Sequence, residues 1–313
     1  MMNTKLFRNT RWRWLNVDLE QADEMASLPI LPEARTSWID SIHAGYIGSL
    51  GMHTAKPGHE AMWGMLHYQQ DIHDHQNRSS IHYYLSADLL ITNAIDFTLM
   101  HGLTKESMLS QLEHAESAIE GFMILLGEIV YSFNRDIDKF ENRMHNLLWL
   151  VKEKNNEHVL ERIVENRHEL MIWKSLIIPA TEIRDALQEV FGDEQTAGPS
   201  FSRTSRRMHR CREMLREYDH VLQEMIDLEV ALSSHRGNEI VKTLTVITML
   251  FTPVAAWGAL WGMNFKYMPE LDWKLGYPFS LFVIIFSTWA LYYYLKKKNW
   301  TKSVLLTKKG KKF

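Results

Sequence analysis

Hydrophobic and polar positions follow three patterns along this 313-residue chain. Up to about residue 100, apolar residues come in short aromatic and β-branched runs: "RWRWLNV" (11–17), "AMWGMLHY" (61–68) and "IHYYLSADLLIT" (81–92). They are divided by "LGMHTAKPGHE" and "DIHDHQNRSS", and the texture predicts strands joined by turns. From Thr104 onward the apolar residues lie three and four apart, as in "SMLSQLEHAESAIEGFMILLGEIVYSF", which predicts amphipathic helices. Gly192, Gly198 and Pro199 interrupt this pattern in "FGDEQTAGPSFS" (191–202). From about Ser202 helical spacing then continues without a break into an apolar run. It predicts one helix of about 60 residues, roughly 90 Å at ~1.5 Å per residue.

The third pattern is an absence of charge. No charged residue lies between Lys242 and Lys266, and none between Lys274 and Lys296. Each run is long enough to cross a hydrocarbon core of ~30 Å as a helix. A pair of core helices in a soluble protein would normally carry a charge or amide along one edge. After Leu295 come eight lysines and no acid, which places that tail in the cytoplasm. Two spans return the chain to the side it left, so the large N-terminal part is cytoplasmic as well and the loop from Phe265 to Lys274 is external. Trp257, Trp261, Trp273, Tyr277 and Tyr292 to Tyr294 sit toward the span ends, where amphipathic rings anchor at the headgroups.

The expected division is a cytoplasmic α/β domain over 1–200, strand-rich in 1–100 and helical in 101–200. A stalk helix follows over 201–242, a first span over 243–265, an external loop over 266–274, a second span over 275–295 and a basic tail over 296–313.

Composition narrows the class. At 46% hydrophobic residues the chain is ordinary for a soluble protein, so the membrane part is small. A net charge of −3, with no Cys-His finger spacing, gives nucleic acid nothing to bind. The single cysteine, Cys211, forms no internal disulfide, consistent with a reducing compartment. The N-terminus "MMNTKLFRNTRWRW" lacks the apolar core of a secretory signal.

On the long helix, three-four spacing from Asp227 passes through Ala231, Ser234, Asn238, Val241, Thr245, Thr248, Thr252, Ala255 and Ala259 to Gly262. This face is small or polar throughout. Hydroxyls in a span turn toward a neighbouring helix or a watery path. Close helix packing explains the threonines alone. The extension of the stripe to Asn238 and Asp227 suits a hydrated cation better. One helix cannot enclose a path, so a lined pore requires several copies. Pro253 removes a backbone hydrogen bond inside the span and is a candidate bend.

"NEIVKTLTVITMLFTP", "WGMNFKYMPELDWKLGYPF", a second span and a lysine cluster together resemble the CorA family of divalent-cation channels, over about Asp227 to Trp300. The strand-then-helix texture of the N-terminal part is similar to that family's cytoplasmic α/β/α domain. The fold class implied is α+β, in an α/β/α layout, with a stalk helix running into a two-span all-α membrane domain.

The resemblance implies a homopentamer in the cytoplasmic membrane whose first spans line a central pore. Gly262, Met263 and Asn264 would form the ion-receiving ring at the outer mouth. Asp227, Ser234, Asn238, Val241, Thr245, Thr248, Thr252 and Ala255 would line the path, with Glu270 in the external loop. The transported ion would be Mg2+, with Co2+ or Ni2+ as further substrates, drawn in by the membrane potential. The partners are the other copies, the bilayer and the ions, with no cofactor and no enzymatic activity. Mg2+ prefers oxygen ligands and dehydrates reluctantly, which suits a ring of carbonyl and amide oxygens.

The chain departs from the family pattern in three places. Trp261 stands where Tyr often precedes GMN. Lys266 and Lys274 offset Glu270 and Asp272 in the loop. Where relatives carry a carboxylate sensor for cytosolic Mg2+, this chain reads "SFSRTSRRMHR", which is basic, so Asp219, Glu217 and Glu224 are substitute candidates. "HDH" (73–75), "NRDID" (134–138), Gly45, Gly48, Gly51 and Cys211 form no metal, calcium, phosphate or nucleophile site. Two other readings stay open: a Zn2+ transporter of the same superfamily, and a scaffold or receptor that uses the spans only as an anchor.

Overall fold

The computed structural model describes residues 3–6, 12–17, 28–30, 32–44, 49–72, 74, 76–100, 104–153, 158–264, 266, 268–269 and 273–300. The chain divides into two compact units, Met1–Ile226 and Asp227–Phe313.

The first unit is built on a six-stranded sheet: β1 (Asn3–Leu6), β2 (Arg13–Asn16), β3 (Leu50–His53), β4 (Ala61–Gln70), β5 (Arg78–Ser86) and β6 (Leu89–Thr92). The spatial order is β1-β2-β6-β5-β4-β3, with β2 and β6 parallel and the other pairs antiparallel. Ala61 to Tyr68 of β4 are all buried because both faces of the strand are covered. Successive side chains point to opposite faces. Met62, Leu66 and Tyr68 join one core, and Ala61 and Trp63 join the other.

The smaller core is closed by α1 (Pro32–Ala44). This helix lies within the residues that the sequence pattern reads as strands and turns. Its origin is local: Pro32 sits at the first helical position, and Ala34 and Trp38 bury themselves one turn apart. The Arg35 guanidinium donates to the carbonyls of Leu28 and Ile30 at 2.6 and 3.1 Å, tying the incoming chain to the helix. Trp38 packs on Tyr84 at 5.9 Å, and Tyr84 stacks on Trp63 at 6.4 Å.

Helices α2 (Lys105–Leu112), α3 (Ala118–Glu153) and α4 (His158–Thr196) build the other layer with the start of α5 (Pro199–Trp261). Thr104 caps α2 by accepting from the Ser107 amide. Tyr83 of the sheet packs on Phe122 of α3 at 4.7 Å. The Trp12 indole donates to the Ala115 carbonyl at 2.9 Å, so the strand edge and the helix entry hold each other. "NRDID" falls inside α3 as helix.

The glycine-rich break acts where expected. Gly192 adopts φ +75°, a left-handed conformation that glycine accepts without steric cost, and α5 begins at Pro199. Thr204 donates to the Met123 carbonyl, and Arg207 donates to the Gly127 carbonyl and pairs with Glu128 at 3.2 Å. These contacts fix the first turns of α5 on α3. Farther along, Lys174 of α4 pairs with Asp219 of α5 at 2.7 Å.

Candidate functional site

The second unit contains α5 from Asp227 onward and α6 (Gly276–Lys297). Both helices are long and apolar enough to cross a membrane, and almost nothing in their apolar windows is buried by the protein itself. Among the described residues here, only Val246 and Leu295 are buried hydrophobics. Phe251, Ile285 and Tyr277 are 67%, 66% and 76% exposed. A surface of this kind has no stable contact with water. It requires lipid or further copies of the chain around it.

The expected path residues lie along α5. Asp227, Ser234, Asn238, Val241, Thr248, Thr252 and Ala255 are exposed, and Thr245 is half-buried. Each threonine hydroxyl donates to the carbonyl four residues earlier: Thr245 to Val241 at 2.8 Å, Thr248 to Leu244 at 2.9 Å and Thr252 to Thr248 at 2.9 Å. A hydroxyl that has committed its only proton inward presents lone pairs outward. The outward face of this column therefore accepts hydrogen bonds, which is what the water shell of a cation offers. Close packing against another helix uses the same inward bonds, so the hydroxyls alone do not separate the two uses. The extension of the stripe to the amide of Asn238 and the carboxylate of Asp227 is where they part.

Cations ahead of the apolar stretch of α5 have acidic partners on the same helix. Arg236 pairs with Glu229 at 2.5 Å and Lys242 lies 3.7 Å from Glu239.

At the far end, the helix closes on Trp261, and Gly262, Met263 and Asn264 follow outside it. The Gly262 amide still donates to the Gly258 carbonyl at 2.9 Å. A Cβ on Gly262 would sit 2.9 Å from that same carbonyl, closer than real side chains come, so glycine is required at this turn. Trp257 and Trp261 stack at 5.2 Å one turn earlier. Met263 and Asn264 are exposed. Gly258 was not among the expected residues, although two glycines four apart at a helix end were visible in "GALWG".

The loop acids Glu270 and Asp272 lie outside the described residues, as do His73, His75, Gly45 and Gly48. The three substitute sensor residues are not brought together. Asp219 is held by Lys174, Glu224 lies 3.5 Å from His220, and Glu217 is exposed. No three His, Cys, Asp or Glu side chains converge on one point among the described residues. Burial pushes the Cys211 thiol up to about 12, which makes it inert as a nucleophile.

The family model described as "CorA-like Mg2+ transporter protein" matches residues 57–297, from before β4 to the end of α6. The chain belongs to the CorA family. A CorA relative from Bacillus subtilis, named magnesium transport protein, is 37% identical over 304 residues, 96% of this chain and 95% of its own length. A cobalt/magnesium transport protein CorA from Thermotoga maritima is 26% identical over 190 residues, 59% of this chain and 50% of its own. The complete structure of the CorA magnesium transporter from Methanocaldococcus jannaschii superposes with a TM-score of 0.63 at 18% identity, covering 95% of this chain and 93% of that one. The last comparison shows the fold. With it, the α/β/α layer order, the long helix and the two apolar C-terminal helices form one CorA architecture.

Proposed function

We propose that the chain is a Mg2+ channel of the cytoplasmic membrane that works as a homopentamer, with both termini in the cytoplasm. The observation that carries this reading is the α5 face of outward acceptor groups that ends at Gly262, Met263 and Asn264, on a helix bare of protein cover. A single helix cannot enclose a path. Copies arranged around an axis turn one face into a lining and hide it from lipid. The names of the Bacillus subtilis and Thermotoga maritima relatives support Mg2+, and the second supports Co2+ as a further substrate.

The chemistry follows from the groups. At the mouth, Asn264 side-chain oxygens and the carbonyls of Gly262 and Met263 offer neutral acceptors to the water shell of the ion. Neutral oxygens hold a hydrated ion weakly enough for it to move on. Thr252, Thr248, Thr245 and Asn238 continue the same acceptor surface, and Asp227 attracts the ion to the cytoplasmic side. A potential that is negative inside supplies ~2.3 kcal/mol per charge per 100 mV, so inward movement of a divalent ion needs no nucleotide.

The test is uptake into proteoliposomes under an imposed potential, with Mg2+, Co2+ and Zn2+ supplied separately, for the wild type and Asn264→Ala. The wild type is expected to take up Mg2+ and the variant to fall to the level of empty vesicles. Wild-type vesicles that move no divalent cation would refute the channel and leave the anchor reading. Movement of Zn2+ alone, dependent on a proton gradient, would make the chain a zinc transporter.

A further inference from the structure

A cavity of about 320 Å³ opens in the first unit where the end of β4 meets α3 and α4. Its size is that of a small-molecule pocket. The β4–β5 register shifts between His67 and Gln69, and at this bulge Tyr68, Gln69 and Gln70 all line the cavity. In a regular strand successive residues would face opposite ways, so the bulge re-aims this stretch. The amides of Gln69 and Gln70 make no side-chain hydrogen bond among the described residues.

Glu169 of α4 stands in the wall and is only 7% exposed. Its Oε1 accepts from both the Arg143 guanidinium and the Trp173 indole, which leaves Oε2 without a hydrogen bond among the described residues. A carboxylate oxygen so far removed from bulk water and unpaired is costly, and a charged donor inside the cavity would satisfy it.

We propose that this cavity binds a small aliphatic amine, its ammonium group on Glu169 Oε2 and its methylene stem on the apolar wall. Charge selects a cation. The lining carries three carboxylates, Asp71, Asp136 and Glu169, against two cations, Lys139 and Arg143. Both cations are paired within the lining, Arg143 with Glu169 and Lys139 with Asp136 at 2.7 Å, so an anion would meet a net negative wall. The three carboxylates do not converge on one point, so a bare metal ion finds no ligand shell there. An ammonium group with an apolar body fits instead. Phe133 and Trp173, edge to face at 6.0 Å, and Tyr68 supply aromatic surface that attracts a cation. Ile72, Leu99 and Leu176 receive the stem. The amide oxygens of Gln69 and Gln70 can take the remaining N–H groups. The cavity lies wholly within the first unit, so the inference does not depend on the pore.

The test is titration calorimetry on the full chain in detergent with excess Mg2+, using putrescine and, as the uncharged analogue of the same length, butanediol. The wild type is expected to bind one putrescine per chain and to bind butanediol at least tenfold more weakly. Glu169→Gln should weaken putrescine about tenfold or more, because it removes the charge that the ammonium group meets. Gln70→Leu, at a half-buried position without a hydrogen bond, should weaken it a few-fold at an unchanged urea midpoint. Leu99→Trp fills the cavity without altering its charge and should abolish binding; it decides the matter where Glu169→Gln fails to fold. A wild type that binds no putrescine under excess Mg2+, equal affinity for butanediol, or wild-type affinity in folded Glu169→Gln or Leu99→Trp would each overturn the site.

Discussion

Phe122, Phe140 and Trp38 in the first unit are sealed from solvent, whereas Phe251, Phe282 and Trp289 in the second are 67%, 62% and 60% exposed. The residue types are alike, and the difference lies in what each element finds to pack on. In residues 1–226 the sheet and the helices close around two buried cores, although some large apolar groups such as Trp149, Val164 and Met171 stay exposed on the helices. In residues 227–300 two helices carry apolar residues around most of their circumference and have little of their own chain to cover them. The first unit is organised by its own burial. The second presents an apolar surface that its own chain leaves bare, which is why its one polar face stands out.

Substitutions that act on one region and spare the other sharpen this contrast. The largest expected effect is that of Gly262→Ala. Its Cβ meets the Gly258 carbonyl at 2.9 Å and displaces the turn that carries Asn264. Mg2+ uptake should be lost while the urea midpoint of the first unit stays at the wild-type value. Normal uptake in this variant would separate the turn geometry from transport.

Phe122→Ala empties a fully buried site and should cost about 3–5 kcal/mol in urea unfolding followed by tryptophan fluorescence. Phe282→Ala, the same change on a bare helix, should alter that midpoint by no more than ~0.5 kcal/mol. Equal costs would erase the distinction between the units.

Glu169 has a side chain only 10% exposed and is paired with Arg143, and its Oε1 also accepts from the Trp173 indole at 3.4 Å. Glu169→Gln should cost about 1–3 kcal/mol in the same unfolding experiment. A neutral result would mean that the pair gains no more from burial than a surface ion pair does.

The smallest effect is chemical. The Cys211 thiol, raised to about 12 by burial, stays protonated as pH climbs from 7 to 9, so its labelling by a disulfide reagent should remain slow in the folded protein. Unfolding returns the thiol toward its ordinary value, and labelling should then accelerate with pH over that interval. Fast labelling of the native chain would show that this part of α5 opens.

Much of this molecule is legible along the chain. The runs at 61–68 and 81–92 fall on β4, β5 and β6, the break at 191–202 contains the left-handed Gly192 and the start of α5, and the two uncharged runs lie in α5 and α6. Each is written in local periodicity, because a strand or helix face repeats every two or every three to four residues. The helix at 32–44 had the same kind of signal, Ala34 and Trp38 one turn apart behind a proline, in a stretch otherwise dominated by strand-like runs. The candidate site was legible for a similar reason: its residues share one helix, so spacing alone lines them up.

The sequence by itself thus determined the elements, the apolar spans and the polar stripe, all of them properties of a residue and its near neighbours. Only the tertiary structure decided the strand order with its parallel β2–β6 pair and the occupation of Asp219 by Lys174. Strand order and long-range pairing depend on which distant segments meet. That is settled by burial of the whole core and by the geometry of its layers, and no window of neighbouring residues contains it.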